Sequence, residues 1–359
     1  MQNGNKIKYH LIFNGGIDMK MLGVGIIGTG WVSDEYIRAF SLNPHTEVRA
    51  ICSRSKERAK DKALEHDLKN CSHYDSYEEM LKQENIDIVC ILTPNFKHAE
   101  QTILAAQAKK HIVIEKPLAT NWEDMKKMQQ AVKNSGVKTI VGFVLRWNEL
   151  FETAKELIKQ NIIGEPFYSE VDYMHRIDET YHCYEWSKTK KTGGSILQVG
   201  GCHAVDGLRW FNQSECTEVV ALSGNYRDDF EQDTTITFVC KFANGAMGKV
   251  CCSYDNISPY IYNLKLFGKN GSLVNDKLWA KKSFPGQSDW IHLPVQTPDS
   301  GDVKHHPFPQ EVNHFVDCIL NNTKCIVDLD DAMKTFEIIE AADRSAAQGG
   351  IPIKLPLSN

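Results

Sequence analysis

The strongest constraint on the fold is a short apolar strand that runs directly into a glycine-rich turn and then into a helical pattern. The strand spans Leu22–Ile27 and the turn spans Gly28–Ser33. In dinucleotide-binding domains the first glycine of such a turn allows a tight bend, the second lets the backbone approach the pyrophosphate, and a small third residue lets the helix pack on the strand. Gly28, Gly30 and Ser33 are of these types. The order therefore predicts a Rossmann domain with the phosphates at the helix N-terminus.

Apolar runs alternate with amphipathic stretches up to about residue 145, a pattern typical of βαβ units around a parallel sheet. The predicted strands are Leu22–Ile27, Glu47–Cys52, Ile86–Leu92, His111–Glu115 and Lys138–Phe143. Before the last strand, Thr120–Glu123 matches a capping box and Gly136 is a helix-ending glycine. We therefore predict an α/β fold whose first domain, a doubly wound parallel sheet, spans residues 21–145 after a flexible tail at 1–20.

Strand signals dominate the second domain, which we place at residues 146–359. The predicted strands are Phe167–His175, Thr234–Phe242, Ala246–Tyr254, Ile261–Phe267 and Ser272–Asn275. The predicted helices are Asn148–Gln160, Gln310–Leu320 and Asp331–Ala347. Asn244-Gly245 and Asn270-Gly271 suit tight hairpin turns with positive φ, and Ile351–Leu355 is expected to close against the first domain. These patterns predict an α/β domain with an open, largely antiparallel sheet that binds substrate and forms oligomers.

Composition and charge exclude several classes of protein. The 359 residues are 42% hydrophobic and 24% charged, as in soluble globular proteins, and the length suits two domains. A net charge of -5 and the lack of a Lys/Arg run with interleaved aromatics argue against nucleic-acid and anionic-membrane partners. Without a signal peptide or an apolar run long enough to span a bilayer, we expect a cytoplasmic protein with small-molecule partners. The eleven cysteines show no paired CxxC spacing and are expected to be reduced thiols.

The end of the second predicted strand bears on the choice of cofactor. An acidic residue there binds the ribose hydroxyl of NAD, whereas a basic group accommodates the 2′-phosphate of NADP. This chain offers Ser53 and Arg54 and has no acid between Cys52 and Lys56. The rule therefore leans toward NADP with Ser53 and Arg54 as its contacts, but Arg54 equally suits stacking on the adenine or lying in solvent, which leaves NAD open.

Three further motifs follow in a fixed order: Thr93-Pro94-Asn95 with His98, then Glu115-Lys116-Pro117, then Gly193-Gly194 leading to Gly201–Asp206. With the glycine turn, this ordered set resembles the Gfo/Idh/MocA family, named for glucose-fructose oxidoreductase, inositol dehydrogenase and MocA. The resemblance extends from residue 22 to the C-terminus, through Pro307–Glu311. It implies a Rossmann domain joined to an α/β domain on an open antiparallel sheet, with the active site in the cleft between them.

The resemblance also implies a nicotinamide dinucleotide, NAD or NADP, and assigns roles to individual residues. Those expected to bind the cofactor are Gly28, Thr29, Gly30, Trp31, Val32, Ser53, Arg54, Thr93, Pro94, Asn95, His98, Glu115 and Lys116. Lys116 is expected to position or polarise the substrate hydroxyl, and His203 to accept its proton as general base. A histidine titrates near neutral pH and a nearby cation favours a developing alkoxide. Asn95 and His98 equally suit capping the helix that follows them.

A second group of residues is expected to line the substrate pocket. These are Lys116, Arg146, Trp147, Tyr173, His175, His203 and Asp206. Arg146 and Trp147 lie at the predicted domain junction and equally suit packing, whereas Asp206 lies one turn beyond His203 and equally suits orienting it.

The chain departs from the family at one position of the proton path. Many members carry an aspartate four residues before the histidine, on the same helical face, and this chain has Val199 there. Neighbouring Gln198 points elsewhere and cannot hold a charge. Simple alcohol dehydrogenation thus loses part of its usual proton path. This leaves open a substrate or a net reaction different from that of the polyol dehydrogenases.

Two enzymatic functions and one silent alternative follow from these residues. The first is an oxidoreductase that moves a hydride between nicotinamide and a ring carbon of a sugar or cyclic polyol. The second is a redox-neutral glycoside hydrolase or lyase that oxidises a ring hydroxyl transiently and returns the hydride. The missing acid favours it, as does a polar segment suited to sugar stacking and hydrogen bonding, with Glu170, Asp172, Tyr173, His175, Tyr181, His182, Tyr184 and Trp186. A catalytically silent sensor is the third class, against which the retained Lys116 and His203 argue.

The sequence also bears on metal binding and on oligomerisation. A divalent-metal site assisting the second function would use His175, His182, His203, Glu170 and Asp172. No tight spacing supports it, and we predict no metal. The alternation of Val250, Cys252 and Tyr254 along one strand predicts an exposed sheet face and, through it, a homo-oligomer, either a dimer or a tetramer.

Overall fold

The computed structural model describes residues 21–298 and 303–358, which form two sheets with helices packed on them. The first sheet has six parallel strands in the order β3-β2-β1-β4-β5-β6: β1 (Leu22–Ile27), β2 (Thr46–Cys52), β3 (Ser72–Tyr74), β4 (Ile88–Ile91), β5 (His111–Ile114) and β6 (Thr139–Val141). Its helices are α1 (Ser33–Leu42), α2 (Lys56–Glu65), α3 (Tyr77–Leu81), α4 (His98–Gln107) and α5 (Trp122–Ser135). This is the predicted Rossmann arrangement; the predicted tail at residues 1–20 lies outside the described residues.

The central strands of the first sheet are buried on both faces. Consecutive residues of β1 and β4 are buried, including Val24, Ile26 and Val89, all fully shielded from solvent. Such near-continuous apolar strands are typical of parallel sheets covered on both sides. Because β1 lies between β2 and β4, the glycine turn emerges at the carboxyl edge of the sheet, where open α/β sheets bind ligands.

Helix α5 begins with a different cap from the one predicted. The Asn121 side chain, not that of Thr120, accepts a hydrogen bond from the Asp124 backbone N–H, at 2.9 Å. Asparagine caps at least as well as threonine, so the capping-box pattern marked the right turn one residue early. The predicted end of the helix is confirmed, with Gly136 in the left-handed region at φ 71°.

The second sheet has nine strands in the order β14-β13-β12-β11-β7-β10-β9-β8-β15: β7 (Pro166–Met174), β8 (Cys216–Gly224), β9 (Thr235–Phe242), β10 (Met247–Ser253), β11 (Ile261–Gly268), β12 (Ser272–Val274), β13 (Lys277–Trp279), β14 (Ile291–His292) and β15 (Ile353–Lys354). Its helices are α6 (Glu149–Lys159), α7 (Tyr184–Ser187), α8 (Lys190–Gly193), α9 (Cys202–Asn212), α10 (Phe308–Leu320) and α11 (Leu329–Ala347). Only the β7–β10 pair is parallel, so the sheet is largely antiparallel, as predicted.

The face of the second sheet that we expected to be exposed is covered. Val250, Cys252 and Tyr254 are at most 1% exposed, and the Cys252 thiol lies 3.8 Å from the Ile196 carbonyl oxygen. Alternation along a strand identifies two faces but not which one the helices cover. The opposite face carries the exposed side chains, among them Leu222 and Val239. The homo-oligomer stays a prediction, but the sheet face of Val250, Cys252 and Tyr254 is not available as its interface.

Two predicted details near the sheet ends are also wrong. The segment expected to close against the first domain instead forms β15, which pairs with β8 inside the second sheet through Ile353 and Val219. Gly245 adopts the expected positive φ of 87°, but Gly271 does not; the left-handed residue nearby is Asn275, at φ 52°, in the next turn, between β12 and β13. No helix in the part of the chain that the structure describes has the length and apolarity to cross a bilayer.

Candidate active site

The glycine turn after β1 is built to receive a group on its outer side. Gly28 has a φ of 100°, and a Cβ there would lie 2.6 Å from the Leu92 carbonyl oxygen, so only glycine fits. A Cβ at Gly30 would meet nothing within 4 Å, which leaves open space above the turn. The buried Ser33 hydroxyl donates to the Gly30 carbonyl at 2.5 Å and closes the first turn of α1. The turn therefore fits a dinucleotide pyrophosphate approaching over Gly30.

The end of β2 lies beside this turn. The hydroxyls of Thr29 and Ser53 are 2.9 Å apart, and the Ser53 N–H donates to the Tyr74 carbonyl at 3.0 Å. Arg54 is exposed. The serine is thus held at the glycine turn, while the arginine side chain is exposed to solvent.

Two side chains near the loop after β4 form hydrogen bonds to other segments instead of capping the helix that follows. The buried His98 places its two ring nitrogens 2.7 Å from the Pro117 carbonyl oxygen and 2.6 Å from that of Thr93. Asn95 donates through Nδ2 to the Gly193 carbonyl, at 3.0 Å, in the second domain. Neither side chain caps α4. The pair ties the loop after β4 to the residues after β5 and to α8, which positions this side of the cleft.

Lys116 follows β5 and His203 lies in the first turn of α9. The Lys116 ammonium donates to the Val199 carbonyl oxygen at 3.4 Å, one helical turn before His203. His203 is buried, its ring packs edge-on to Phe143 at 6.0 Å, and its Nδ1 has no hydrogen-bond partner among the described residues. Burial, then the charges of Lys116 and His306, hold the pKa of His203 well below its ordinary value. The positive charge of Lys116 therefore acts on the His203 imidazole.

A short π-helix, Leu197–Gly201, directly precedes α9 and positions His203 in the first turn of that helix. A Cβ at Gly200 would lie 2.8 Å from the Tyr173 ring and 2.9 Å from the Tyr254 hydroxyl. The close approach of helix to sheet requires glycine at this position, which explains the glycine pair before α9. π-Helical turns occur frequently at functional sites.

His175, which directly follows β7, is the centre of a group of aromatic side chains that we call the aromatic wall. Its Nδ1 lies 2.9 Å from the Tyr173 hydroxyl, and its Nε2 lies 2.7 Å from the Tyr181 hydroxyl. Burial, then the Lys116 charge, lowers the pKa of His175 to about 4. Tyr260 packs edge-on against His175 at 5.2 Å; no motif marked this residue in the sequence, because it comes from the β10–β11 connection. His175 is therefore neutral and held between two phenols.

The cofactor turn touches this aromatic wall. The Trp31 ring lies 6.3 Å from the Tyr181 ring in an edge-on arrangement, and 6.3 Å from the His182 ring. Val32, beside it, is half-buried. The two domains thus meet through aromatic side chains at the mouth of the cleft.

Two expected pocket residues bind each other instead. The Arg146 guanidinium donates to both carboxylate oxygens of Asp206, at 2.8 and 2.6 Å, and to Asp331 at 2.6 Å. The side chains of Arg146 and Asp206 are 0% and 3% exposed. Trp147 packs against His314, at 5.6 Å. For Arg146 and Trp147 this geometry favours the packing alternative, and both oxygens of Asp206 are bound by Arg146.

The metal alternative is contradicted by the alternation of β7. Tyr173 lies against Gly200 on the helix-covered face of the second sheet and contacts His175 there, whereas Glu170 and Asp172 lie on the opposite face. There Lys249 pairs with Asp172 at 2.7 Å and with Glu170 at 3.3 Å. The carboxylates therefore cannot join the histidines around one ion.

Two buried carboxyl groups lie behind the lysine. Burial raises the pKa of Glu115 to about 7, against the charge of Lys116. Burial, then the Glu115 charge, raises the pKa of Glu311 well above its ordinary value, and Tyr36 donates to Glu311 at 3.3 Å. In the sequence, Glu311 stands out only as the last residue of the Pro307–Glu311 motif. The pair places acidic groups directly beneath the cleft.

Comparisons with known proteins agree with this architecture. Residues 22–143 match a family model described as oxidoreductase family, NAD-binding Rossmann fold, and residues 155–355 match the C-terminal alpha/beta domain of the same oxidoreductase family. scyllo-Inositol 2-dehydrogenase (NAD(+)) of Bacillus subtilis is 30% identical over 87% of this chain and 90% of that protein. 2,7-Anhydro-N-acetylneuraminate hydratase of Escherichia coli is 32% identical over 40% of this chain and 38% of that protein.

A solved structure shares the fold over most of the chain. Levoglucosan dehydrogenase, in complex with NADH and levoglucosan, superposes with a TM-score of 0.81 over 94% of this chain and 100% of that chain, at 24% identity.

Proposed function

Because the chain belongs to the Gfo/Idh/MocA family of NAD-binding oxidoreductases, we propose that it transfers a hydride between a nicotinamide and a ring carbon of a sugar or cyclic polyol. The observation that supports the proposal is the approach of Lys116 to the helical turn before His203, where its ammonium donates to the Val199 carbonyl oxygen at 3.4 Å. The dinucleotide, when bound, supplies the hydride acceptor or donor. The inositol dehydrogenase relative and the dehydrogenase fold neighbour support this class of substrate.

The residues of the first domain would hold the dinucleotide. The turn Gly28–Ser33 takes the pyrophosphate, with Thr29, Trp31 and Val32 at its rim. Thr93, Pro94 and Asn95, at the end of β4, and Glu115, at the end of β5, line the route toward the nicotinamide. Ser53 and Arg54 face the adenosine ribose, and we propose that they admit NADP as well as NAD, since no acid stands there to repel a 2′-phosphate.

Lys116 and His203 divide the proton chemistry between them. Lys116 donates an N–H to the reacting oxygen and stabilises its negative charge as the C–H bond breaks. His203, neutral because its pKa is low, accepts the hydroxyl proton. Its protonated form is a strong acid for the same reason, so the arrangement also suits protonation of a carbonyl oxygen in the reverse direction.

The substrate is held by the aromatic wall. His175, Tyr173 and Tyr181 present rings and hydroxyls in one hydrogen-bonded row, and Tyr260 extends it. Flat apolar faces with polar rims match the alternating C–H and O–H surfaces of a sugar ring. A sugar or polyol is therefore the proposed partner.

A second candidate is a redox-neutral reaction in which the hydride returns to the same substrate. Lys116 contacts a backbone carbonyl at Val199, where many family members have an aspartate, so no carboxylate at this position takes the proton from His203. The proton that His203 accepts is then available to return to the substrate, which suits a transient keto-sugar that eliminates or adds a group before reduction. The hydratase relative supports this candidate.

One experiment separates the two candidates. The protein is incubated with NAD or NADP and a panel of sugars, cyclitols and aryl glycosides, and both NAD(P)H absorbance and released aglycone are measured. Reduced cofactor without aglycone supports the oxidoreductase, whereas aglycone without reduced cofactor supports the redox-neutral enzyme. Neither product with any member of the panel would contradict both.

A further inference from the structure

A cluster of soft metal ligands lies outside the proposed active site. Among residues 21–298 and 303–358, one group of His, Cys, Asp and Glu side chains brings three ligand atoms within 4.8 Å of one another: His314 Nε2, Cys318 Sγ and Cys325 Sγ. Cys318 and Cys325 are 3% and 4% exposed, and His314 is half-buried. We call this group the His314–Cys318–Cys325 cluster.

The fold explains why these three residues meet. His314 and Cys318 are four residues apart on α10 and therefore share one face of the helix. After the helix the chain reverses direction at Asn322, which has a φ of 52°, and the Thr323 N–H donates to the Cys318 carbonyl at 3.0 Å. The returning segment, residues 321–328, then places Cys325 against the same helix face.

The geometry is close to that of tetrahedral zinc. With Zn–S near 2.3 Å and Zn–N near 2.0–2.1 Å, a sulfur and a nitrogen ligand of one zinc ion lie about 3.6 Å apart. Cys318 Sγ and His314 Nε2 are 3.5 Å apart. Since the largest separation in the cluster is below 4.8 Å, and two zinc-bound sulfurs lie about 3.8 Å apart, less than about 1 Å of side-chain adjustment closes the set.

The histidine already presents a lone pair to the cluster. His314 Nε2 accepts a hydrogen bond from the Ile326 N–H at 3.1 Å, so this nitrogen is the unprotonated one. A metal ion would take over that lone pair. The released Ile326 N–H adjoins Cys325, whose metal-bound thiolate is a suitable new acceptor.

We propose that His314, Cys318 and Cys325 bind one Zn²⁺ ion, with water as the fourth ligand on the half-buried side of His314. Binding releases one proton from each thiol to solvent and involves no redox change. The inference does not depend on the proposed function, because none of the three side chains belongs to the catalytic or cofactor-binding set.

The position of the cluster indicates what the ion would do. The residues after Cys325 join the two domains: the Ile326 carbonyl accepts from Arg146 at 2.7 Å, and the Val327 carbonyl accepts from the Val141 N–H of β6 at 3.0 Å. Zinc would fasten this segment to α10. An ion that binds only the folded state stabilises it by mass action.

The test uses the full chain, reduced and stripped of metal with a chelator that is then removed. Zn²⁺ is titrated against a chromophoric indicator, and Co²⁺ is added to a second sample for absorption spectroscopy. We expect one Zn²⁺ per chain, a thiolate-to-cobalt charge-transfer band, and a rise in Tm on adding Zn²⁺. Loss of a hydrogen-bond partner of a metal ligand costs about 10- to 100-fold in affinity, so Cys325→Ser and His314→Gln, which remove a ligand itself, should weaken binding by more than that.

Cys71→Ser serves as the matched control, since Cys71 is a half-buried cysteine of the first domain, and it should bind Zn²⁺ as the unmodified protein does. Absence of the charge-transfer band in the unmodified protein overturns the proposal without recourse to any variant. Equal zinc affinity in Cys325→Ser also overturns it, as does a Cys318–Cys325 disulfide whose reduction yields no zinc binding.

Discussion

Arg146 and Asp206 form a two-point ion pair that is buried at the junction of the two domains. The guanidinium donates to both oxygens of the carboxylate, at 2.8 and 2.6 Å, and Thr335 donates a third hydrogen bond to Asp206 at 2.9 Å. Asp331 and the Ile326 carbonyl accept two further hydrogen bonds from the guanidinium. The cluster joins the segment after β6 to α9 and α11, immediately behind the helix that carries His203.

Replacing Asp206 should therefore destabilise the protein. Breaking a buried pair from one side costs about 3–5 kcal/mol, and we expect Asp206→Asn to lie near the lower end because Asp331 still pairs with the guanidinium. Urea unfolding measures the change. Glu79→Gln, which removes the exposed Lys82–Glu79 pair, should leave the midpoint unchanged. A loss below about 1 kcal/mol in Asp206→Asn would contradict the structural role.

Substitution of the two catalytic candidates should slow turnover strongly and spare cofactor binding. Loss of a general base costs about 10²–10⁴-fold, and loss of a preorganised donor to an oxyanion costs about 10²–10³-fold. We expect these losses in kcat for His203→Asn and Lys116→Met respectively, with an unchanged Kd for the dinucleotide by fluorescence titration. Lys127→Met, an exposed lysine of α5, is the control. Normal turnover in His203→Asn would remove the histidine from the mechanism.

The pH profile of alcohol oxidation should lack the usual histidine limb near neutrality. The base must be unprotonated, and the pKa of His203 lies well below 6.5, so kcat/KM should not fall between about pH 8 and about pH 6 on its account and should decline only at lower pH. Lys116→Met removes one of the charges that lower this pKa, so in that variant the His203 resonance should titrate at higher pH by NMR. A limb near pH 6.5 in the unmodified enzyme would argue for a different base.

Glu311 should make stability depend on pH. Its pKa is raised in the folded state, so the folded protein binds more protons than the unfolded one as pH rises above 4.5, and stability is lost over that range. Glu311→Gln should raise Tm at neutral pH but not near pH 4, by roughly 2–4 °C for each kcal/mol recovered. Thermal melts at several pH values test this, with exposed Glu84→Gln as control. Equal shifts at both pH values would exclude linkage to Glu311.

Cofactor preference should respond to Arg54. A hydrogen bond to a charged group contributes about 1.5–3 kcal/mol, so Arg54→Ala should weaken NADP binding about tenfold or more and leave NAD nearly unchanged. Titration of both cofactors measures this. Arg58→Ala, an exposed arginine one turn into α2, should change neither. Binding of NAD alone by the unmodified protein would contradict the proposal that Arg54 binds the 2′-phosphate of NADP.

Local signals in the sequence carried the cofactor half of the site. β1, the bend at Gly28 and the small Ser33 are neighbours along the chain, so one strand-turn-helix pattern describes them together. The buried strands of the first sheet could also be predicted locally. Both faces of these strands are covered, so their apolar runs do not require knowing which face points to the core.

The parts that the sequence could not supply depend on distant contacts. Asp206 and Arg146 are 60 residues apart, and nothing local indicates that each satisfies the other. Val250 alternates correctly along β10, but its face is decided by where α9 packs. Tyr260 reaches His175 from a loop without a motif.

The hydrogen bond from Val141 to Val327 has a mechanical consequence. Residues 144–147 connect the domains covalently, and residues 326–329 attach a second time to the outer edge of β6, where Thr139 also accepts from the Leu329 N–H. The edge strand of the first sheet is therefore fixed to the second domain both at its carboxyl end and along its open edge, and this contact occupies backbone groups that an edge strand would otherwise offer to another chain.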